Sequence, residues 1–276
     1  AGRYSGVMAE LTSLSPSRAN DFIQCPLKFR FRSIDKLPEP PSQAAFRGTV
    51  VHSVLEKLFT APAAERTAEL AQTMLMPAWE ELVEKDPDVL EIFGEESEKE
   101  TFFTSARRLI DSYFVLEYPE HLEPEETEKF VRTKLDNGLE LRGFIDRVDV
   151  APGGERRLVD YKTGKQPKPQ YGREAKFQMG FYALVVYRLS GELVHTLQLM
   201  YLGSRSVLKS HPTMAEVEQT QFEIDAIWKD IIASAESDRW RPKKSPLCNW
   251  CTFKPLCPAW GNTAPPTPEI TKIVGA

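Results

Sequence analysis

A chain of 276 residues, 41% hydrophobic and 27% charged, has material for one large core and is neither a disordered nor a fibrous sequence. Its net charge of −5 excludes a protein that coats nucleic acid nonspecifically, so any nucleic-acid footprint must be a local basic patch. No apolar run reaches membrane-spanning length and no secretory leader is visible, so a cytoplasmic protein without membrane contact is expected.

The opening AGRYSGV reads as an expression scar or loose leader and is set aside. LSPSRANDFIQCP then carries a helix start, with Ser15 as cap and Pro16 at the first helical position. That helix should end before Pro26, leaving Cys25 in its last turn. After the Pro-rich link LPEPPS comes a helix from about Gln43 to Phe59, whose apolar side includes Phe46, Val50, Val51, Val54 and Leu58. His52 lies one turn after Gly48, whose missing side chain is expected to leave room beside the imidazole. Residues 62–118 read as two or three Glu-rich helices broken near Pro87 and Gly94, either a cap over a site or packing alone.

A strand over Thr127–Leu135 runs into Asp136-Asn137-Gly138, a strong hairpin signal, so it should pair with LELRGFIDRVDV. Whether Glu128 helps a metal or pairs with a nearby arginine stays open. The next stretch, Gly143 to Lys165, reads as strands FIDRVDV and RRLVDYK joined by a Pro-Gly-Gly turn. With the turn centred on Gly153, Asp146 and Asp160 are each seven residues away and therefore lie opposite one another. Opposed residues share a face with Cα atoms about 4.5–5.5 Å apart. Lys162, two residues beyond Asp160, shares that face. Carboxylates so close repel, and a cation such as Mg²⁺ or Mn²⁺ between them relieves the repulsion, binds a phosphate oxygen and polarises a water. Lys162 could orient or deprotonate that water or offset charge on phosphorus. The plain alternative is a surface hairpin of solvated charges; Asp149 opposite Arg157, on the other face, is expected to be a simple pair.

EAKFQMGFYALVVYRL is a helix with Gln178 and Tyr182 one turn apart; VHTLQLMYLG is a strand, and a long amphipathic helix spans about Met214 to Glu236. Basic residues cluster at Lys28, Arg30 and Arg32, between Phe29 and Phe31, and around the hairpin at Arg156, Arg157, Lys165, Lys168, Arg173 and Lys176. The four cysteines fall as Cys25 and then Cys248-x-x-Cys251-x5-Cys257. Without signs of secretion a disulfide framework is not expected, and by spacing alone zinc and iron–sulfur are comparable.

GFIDRVD with LVDYKTGK resembles motifs II and III of the RecB-type branch of the PD-(D/E)XK nucleases. FQMGFYAL resembles that branch's Q-x-x-x-Y helix, and RGTVVHSVLE its histidine-bearing first motif. The resemblance runs in order from about Leu14 to Cys257. It implies an α/β, restriction-endonuclease-like core, a mixed central sheet flanked by helices, with a helical insertion and a C-terminal iron–sulfur region. One nuclease domain would span 8–260: N-terminal helices over 14–60, the insertion over 62–118, the nuclease core over 127–236 and a cluster-binding segment over 237–260, before a C-terminal tail at 261–276.

The resemblance also implies roles. His52, Asp146, Asp160 and the backbone carbonyl of Tyr161 would hold Mg²⁺ or Mn²⁺, Lys162 would position the attacking water, and Gln178 and Tyr182 would support the lysine and the substrate. Arg147, Lys165, Arg173 and Lys176 would contact DNA. The cysteine pattern resembles that of the iron–sulfur nucleases, such as AddB and the CRISPR adaptation nucleases, in which Cys25, Cys248, Cys251 and Cys257 would hold a [4Fe–4S] cluster that clamps the two ends of the chain. Trp250, Phe253 and Trp260 would shield it. The implied activity is a metal-dependent, single-strand-specific DNA exonuclease of repair or recombination. The alternatives are a noncatalytic iron–sulfur DNA-binding or scaffold module of a helicase–nuclease complex and a zinc-bound structural protein. No G-x-x-x-x-G-K-[ST] loop is present, so unwinding of DNA is expected from a separate helicase partner, with single-stranded or frayed ends as substrate.

Overall fold

The computed structural model describes residues 8–275; the leader reading of residues 1–7 lies outside them. Two short strands, β1 (Ala9–Leu11) and β2 (Ser13–Leu14), lead into helix α1 (Pro16–Gln24). The Ser15 hydroxyl accepts the Arg18 N–H at 3.3 Å and Pro16 supplies a first-turn residue that needs no partner. Helix α2 (Pro26–Phe29) widens into a π turn over 30–34. Helices α3 (Gln43–Leu58), α4 (Ala68–Lys85) and α5 (Glu96–Leu116) follow, the last two separated by a 3₁₀ turn at Pro87–Ile92.

Strands β3 (Pro124–Lys134), β4 (Glu140–Val150) and β5 (Arg156–Lys162) form an antiparallel meander. Helix α6 (Arg173–Ser190) then crosses over so that β6 (Thr196–Tyr201) runs parallel to β5, and β7 (Ser206–Ser210) returns antiparallel. Helix α7 (Met214–Glu236) begins at a reciprocal cap between Thr213 and Glu216. After three 3₁₀ turns, β8 (Ile270–Ile273) pairs in parallel with β1, so the segment read as a tail carries a strand.

The result is the expected mixed sheet flanked by helices. One face buries Val159, Tyr161, Met200 and Leu202 under α3, α4 and α5; the other buries Leu158, Leu197 and Leu199 under α1, α6 and α7. Among the described residues no helix is long and apolar enough to cross a membrane.

One detail of the sheet positions the site. β3 covers one edge of β4 along nearly its full length. The other edge is shared: β2 takes residues 140 and 141, and β5 takes 147 to 150. Between them β4 has no strand neighbour on that edge, and this gap contains Gly143 and Asp146.

Candidate active site

The β4–β5 ladder has Asp149 opposite Arg157 and Arg147 opposite Val159. One further step brings Asp146 opposite Asp160, as counted from the turn, but here the strands part. The Asp146 side chain fills the space, its Oδ2 accepting the Tyr161 N–H at 2.6 Å. A carboxylate thus replaces a backbone carbonyl and is held on the Tyr161 main chain. Asp160 is fixed from two sides: Oδ1 accepts from Gln178 Nε2 at 2.6 Å, and Oδ2 lies 2.8 Å from Lys162 Nζ. That ammonium is the charge beside Oδ2, an oxygen closed off from solvent. Gln178 therefore reaches Asp160 rather than Lys162.

Helix α3 brings His52 Nδ1 to 3.5 Å from Asp146 Oδ1, with the imidazole edge against the Tyr161 ring. Gly48 does something other than expected. A Cβ there would meet the Thr163 hydroxyl at 3.4 Å and nothing of the imidazole, so the glycine seats α3 on the segment after β5. Glu128 completes the cluster: His52, Glu128 and Asp146 each offer a ligand atom, all within 4.8 Å of one another. No arginine pairs with Glu128 among the described residues. Centring the Asp136-Asn137-Gly138 turn on Asn137 counts nine residues to Glu128 and to Asp146, and the observed register agrees, so this position was countable. Its backbone was not: φ is 47°, a left-handed conformation inside a strand.

The electrostatics are those of a site short of positive charge. Burial, and then the charge of Asp146, raise the Asp160 pKa above the ordinary carboxylate value. The same two causes push Glu128 up to about 7. Burial alone would lower His52, but its hydrogen bond and charge interaction with Asp146 outweigh that and raise it. His52, Glu128 and Asp146 this close offer one imidazole and two carboxylate donors, a set that a hard divalent cation satisfies. Tyr182 stands beside them because Gly143 lets it: a Cβ at 143 would lie 2.8 Å from the Tyr182 hydroxyl oxygen.

The basic residues divide. Lys165, Arg173 and Lys176 are exposed, with Arg173 2.8 Å from Glu223. Arg147 is a correction: it is 0% exposed and paired with Glu117 and Asp149, so it cannot touch DNA. The Lys28–Arg32 cluster is likewise neutralised from within, Lys28 and Arg32 on Asp21 and Arg30 on Asp35.

Far from this site, Cys25, Cys248, Cys251 and Cys257 line one cavity of about 250 Å³. The Cys25 and Cys248 sulfurs accept the Lys243 and Ser245 N–H groups, each at 3.4 Å. Of the expected shields, Phe253 is buried against Phe31, whereas Trp250 is 77% exposed and covers little. Trp260 instead carries Lys254 and Lys244 over its ring.

Comparison with known proteins agrees with this geometry. The "Gene 69 protein" of Mycobacterium phage L5 is 24% identical over 297 aligned positions, covering 89% of this chain and 96% of its own. That of Mycobacterium phage D29 is 25% identical over 269, with the same coverage of 89% and 96%. The crystal structure of a "Putative exonuclease" from Eubacterium rectale superposes with a TM-score of 0.58 at 16% identity over 87% of each chain, a likeness of fold. The family model of the PD-(D/E)XK nuclease superfamily matches residues 13–258, so the chain belongs to that superfamily.

Proposed function

We propose that this protein is a metal-dependent deoxyribonuclease of the RecB-like type, an exonuclease on single strands or frayed ends that serves DNA repair or recombination. The observation that carries the reading is the cluster of His52, Glu128 and Asp146, with Asp160 and Lys162 paired at 2.8 Å beside it. Asp146, Asp160, His52 and the Tyr161 carbonyl would hold Mg²⁺ or Mn²⁺, with Glu128 added to the set. The bound ion would polarise a phosphoryl oxygen and acidify a water. Gln178 locks the Asp160 rotamer, and Lys162, 2.8 Å from the same carboxylate, stands where it can orient the attacking water or neutralise charge on phosphorus. Tyr182, packed on the bare backbone of Gly143, forms the wall through which substrate reaches Lys162. Lys165, Lys176 and Arg173 are the remaining candidates for backbone contact. Any unwinding would come from a separate helicase partner.

A [4Fe–4S] cluster on Cys25, Cys248, Cys251 and Cys257 belongs to the same reading. The thiols face one cavity, yet among the described residues no three of their sulfurs lie within 4.8 Å of each other. Cys25 and the 248–257 segment would then be tied across most of the chain. Iron stoichiometry with visible charge-transfer absorption tests this; zinc in its place would end it.

The activity is tested by incubating end-labelled single-stranded DNA with Mn²⁺ and either the wild type or Asp160→Ala. Stepwise shortening by the wild type alone is expected, and labelling each terminus in turn gives the polarity. Equal degradation by both proteins would sink the assignment.

A further inference from the structure

The register of the β3–β4 hairpin produces a sequence of cross-strand pairs leading away from the carboxylates. Phe130 is opposite Phe144 and Arg132 is opposite Arg142, and the same count sets Glu128 opposite Asp146. Residues two apart on a strand share a face, so the acidic, aromatic and arginine pairs follow one another at steps of about 6.6–6.8 Å. None of the outer four has a structural explanation. Phe130 and Phe144 are 48% and 56% exposed, with ring centroids 5.0 Å apart. Arg132 and Arg142 are both exposed, and among the described residues neither has an ion pair or a side-chain hydrogen bond. Like charges directly opposed on a sheet cost stability unless an anion joins them. The uncompensated charge of Arg142 is felt by Arg18, which burial and Arg142 together hold down to about 10.

These residues open onto the site. Phe130, Phe144 and Arg142 share a groove of about 610 Å³ with Lys162, Gln178 and Tyr182, and the start of α1 forms its far wall. We propose that this face of the hairpin is a track for one unpaired strand of nucleic acid, with a base stacked on Phe130 and Phe144 and a neighbouring phosphate on Arg132 and Arg142. The inference rests on the nuclease reading of the carboxylate site and names its substrate class. Exposed rings reward a base with a free face, which a duplex does not offer. The step between pairs is about twice the 3.4 Å rise of a duplex strand, a spacing open to an extended single strand. The order of the pairs also fixes a direction, from arginines through aromatics to the scissile phosphate.

Binding is measured with full-length protein in EDTA, so cleavage plays no part, using fluorescent oligothymidylate and a blunt duplex of equal length. Phe144→Leu should bind the single strand about tenfold more weakly, and Phe144→Trp should retain wild-type affinity. The double variant Arg132→Ala/Arg142→Ala should lower the slope of log affinity against log salt by about 0.7, the share of one phosphate. Mn²⁺ binding, followed by calorimetry, should be the same in every variant, as none alters the carboxylate cluster. Wild-type affinity in Phe144→Leu, or equal losses on duplex and single strand, would overturn the track. The two readings fail separately: these binding losses without any DNA cleavage remove the nuclease and leave the track, whereas cleavage with an unchanged KM in Phe144→Leu does the reverse.

Discussion

Strands β4 and β5 carry two charged clusters, and the contrast between them separates architecture from chemistry. On the face under α5, Arg147 donates to Asp149 at 2.8 and 3.0 Å, to Glu117 at 2.8 Å and to the Tyr161 hydroxyl at 2.6 Å. Arg157 closes the network, reaching Glu117 at 3.0 Å and Asp149 at 2.7 Å. Two guanidinium groups meet two carboxylates and nearly every donor is used. Where the two strands part, three carboxylates, Glu128, Asp146 and Asp160, share one ammonium and one imidazole. A buried polar network that is saturated rigidifies a fold; one left short of charge is poised to take a ligand.

The largest effects should come from crossing the two clusters by mutation. Asp160→Asn should lower cleavage by at least about a thousandfold while the metal-free melting temperature stays level or rises, because repulsion from Asp146 is removed. Arg147→Met should do the opposite. It leaves two buried carboxylates, Glu117 and Asp149, with Arg157 alone to offset them, so urea unfolding should show a loss of about 3–5 kcal/mol, with cleavage per folded molecule nearly intact. If both variants lost stability and activity together, the division between the clusters would not hold.

A smaller effect sharpens the comparison through pH. Glu128 at about 7, and His52 and Asp160 above their usual values, each bind more protons folded than unfolded. Stability contributed by such groups is present at low pH and lost as pH rises through their folded values, so without metal the melting temperature should fall from about pH 5 to about pH 7. Glu128→Gln should flatten that fall, and Mn²⁺ should abolish it by taking the place of the protons. A metal-free stability that climbs across this window in the wild type and not in Glu128→Gln would break the account.

Much of this was readable from the chain because hairpins fix their own register. Once the turn at Gly153 is centred, the opposition of Asp146 and Asp160 follows by counting, and the Thr213–Glu216 cap marks the start of α7 just as directly. What escaped reading depends on distant partners or on backbone strain. Arg147 reads as an exposed strand residue until Glu117, far away in sequence, is brought beneath it. Strands β1, β2 and β8 are too short to show a period and exist only by pairing with one another or with β4. The gap along β4 is also silent in the sequence, since it arises where β2 ends and β5 has not yet begun.

The left-handed backbone at Glu128 makes this a position where thermal endurance and chemistry pull in opposite directions. Glycine there would relax about 1–2 kcal/mol of conformational strain and discard the carboxylate in the same stroke. A variant library screened only for survival at high temperature should therefore enrich glycine at 128, and its hardiest members should be the ones that no longer cut.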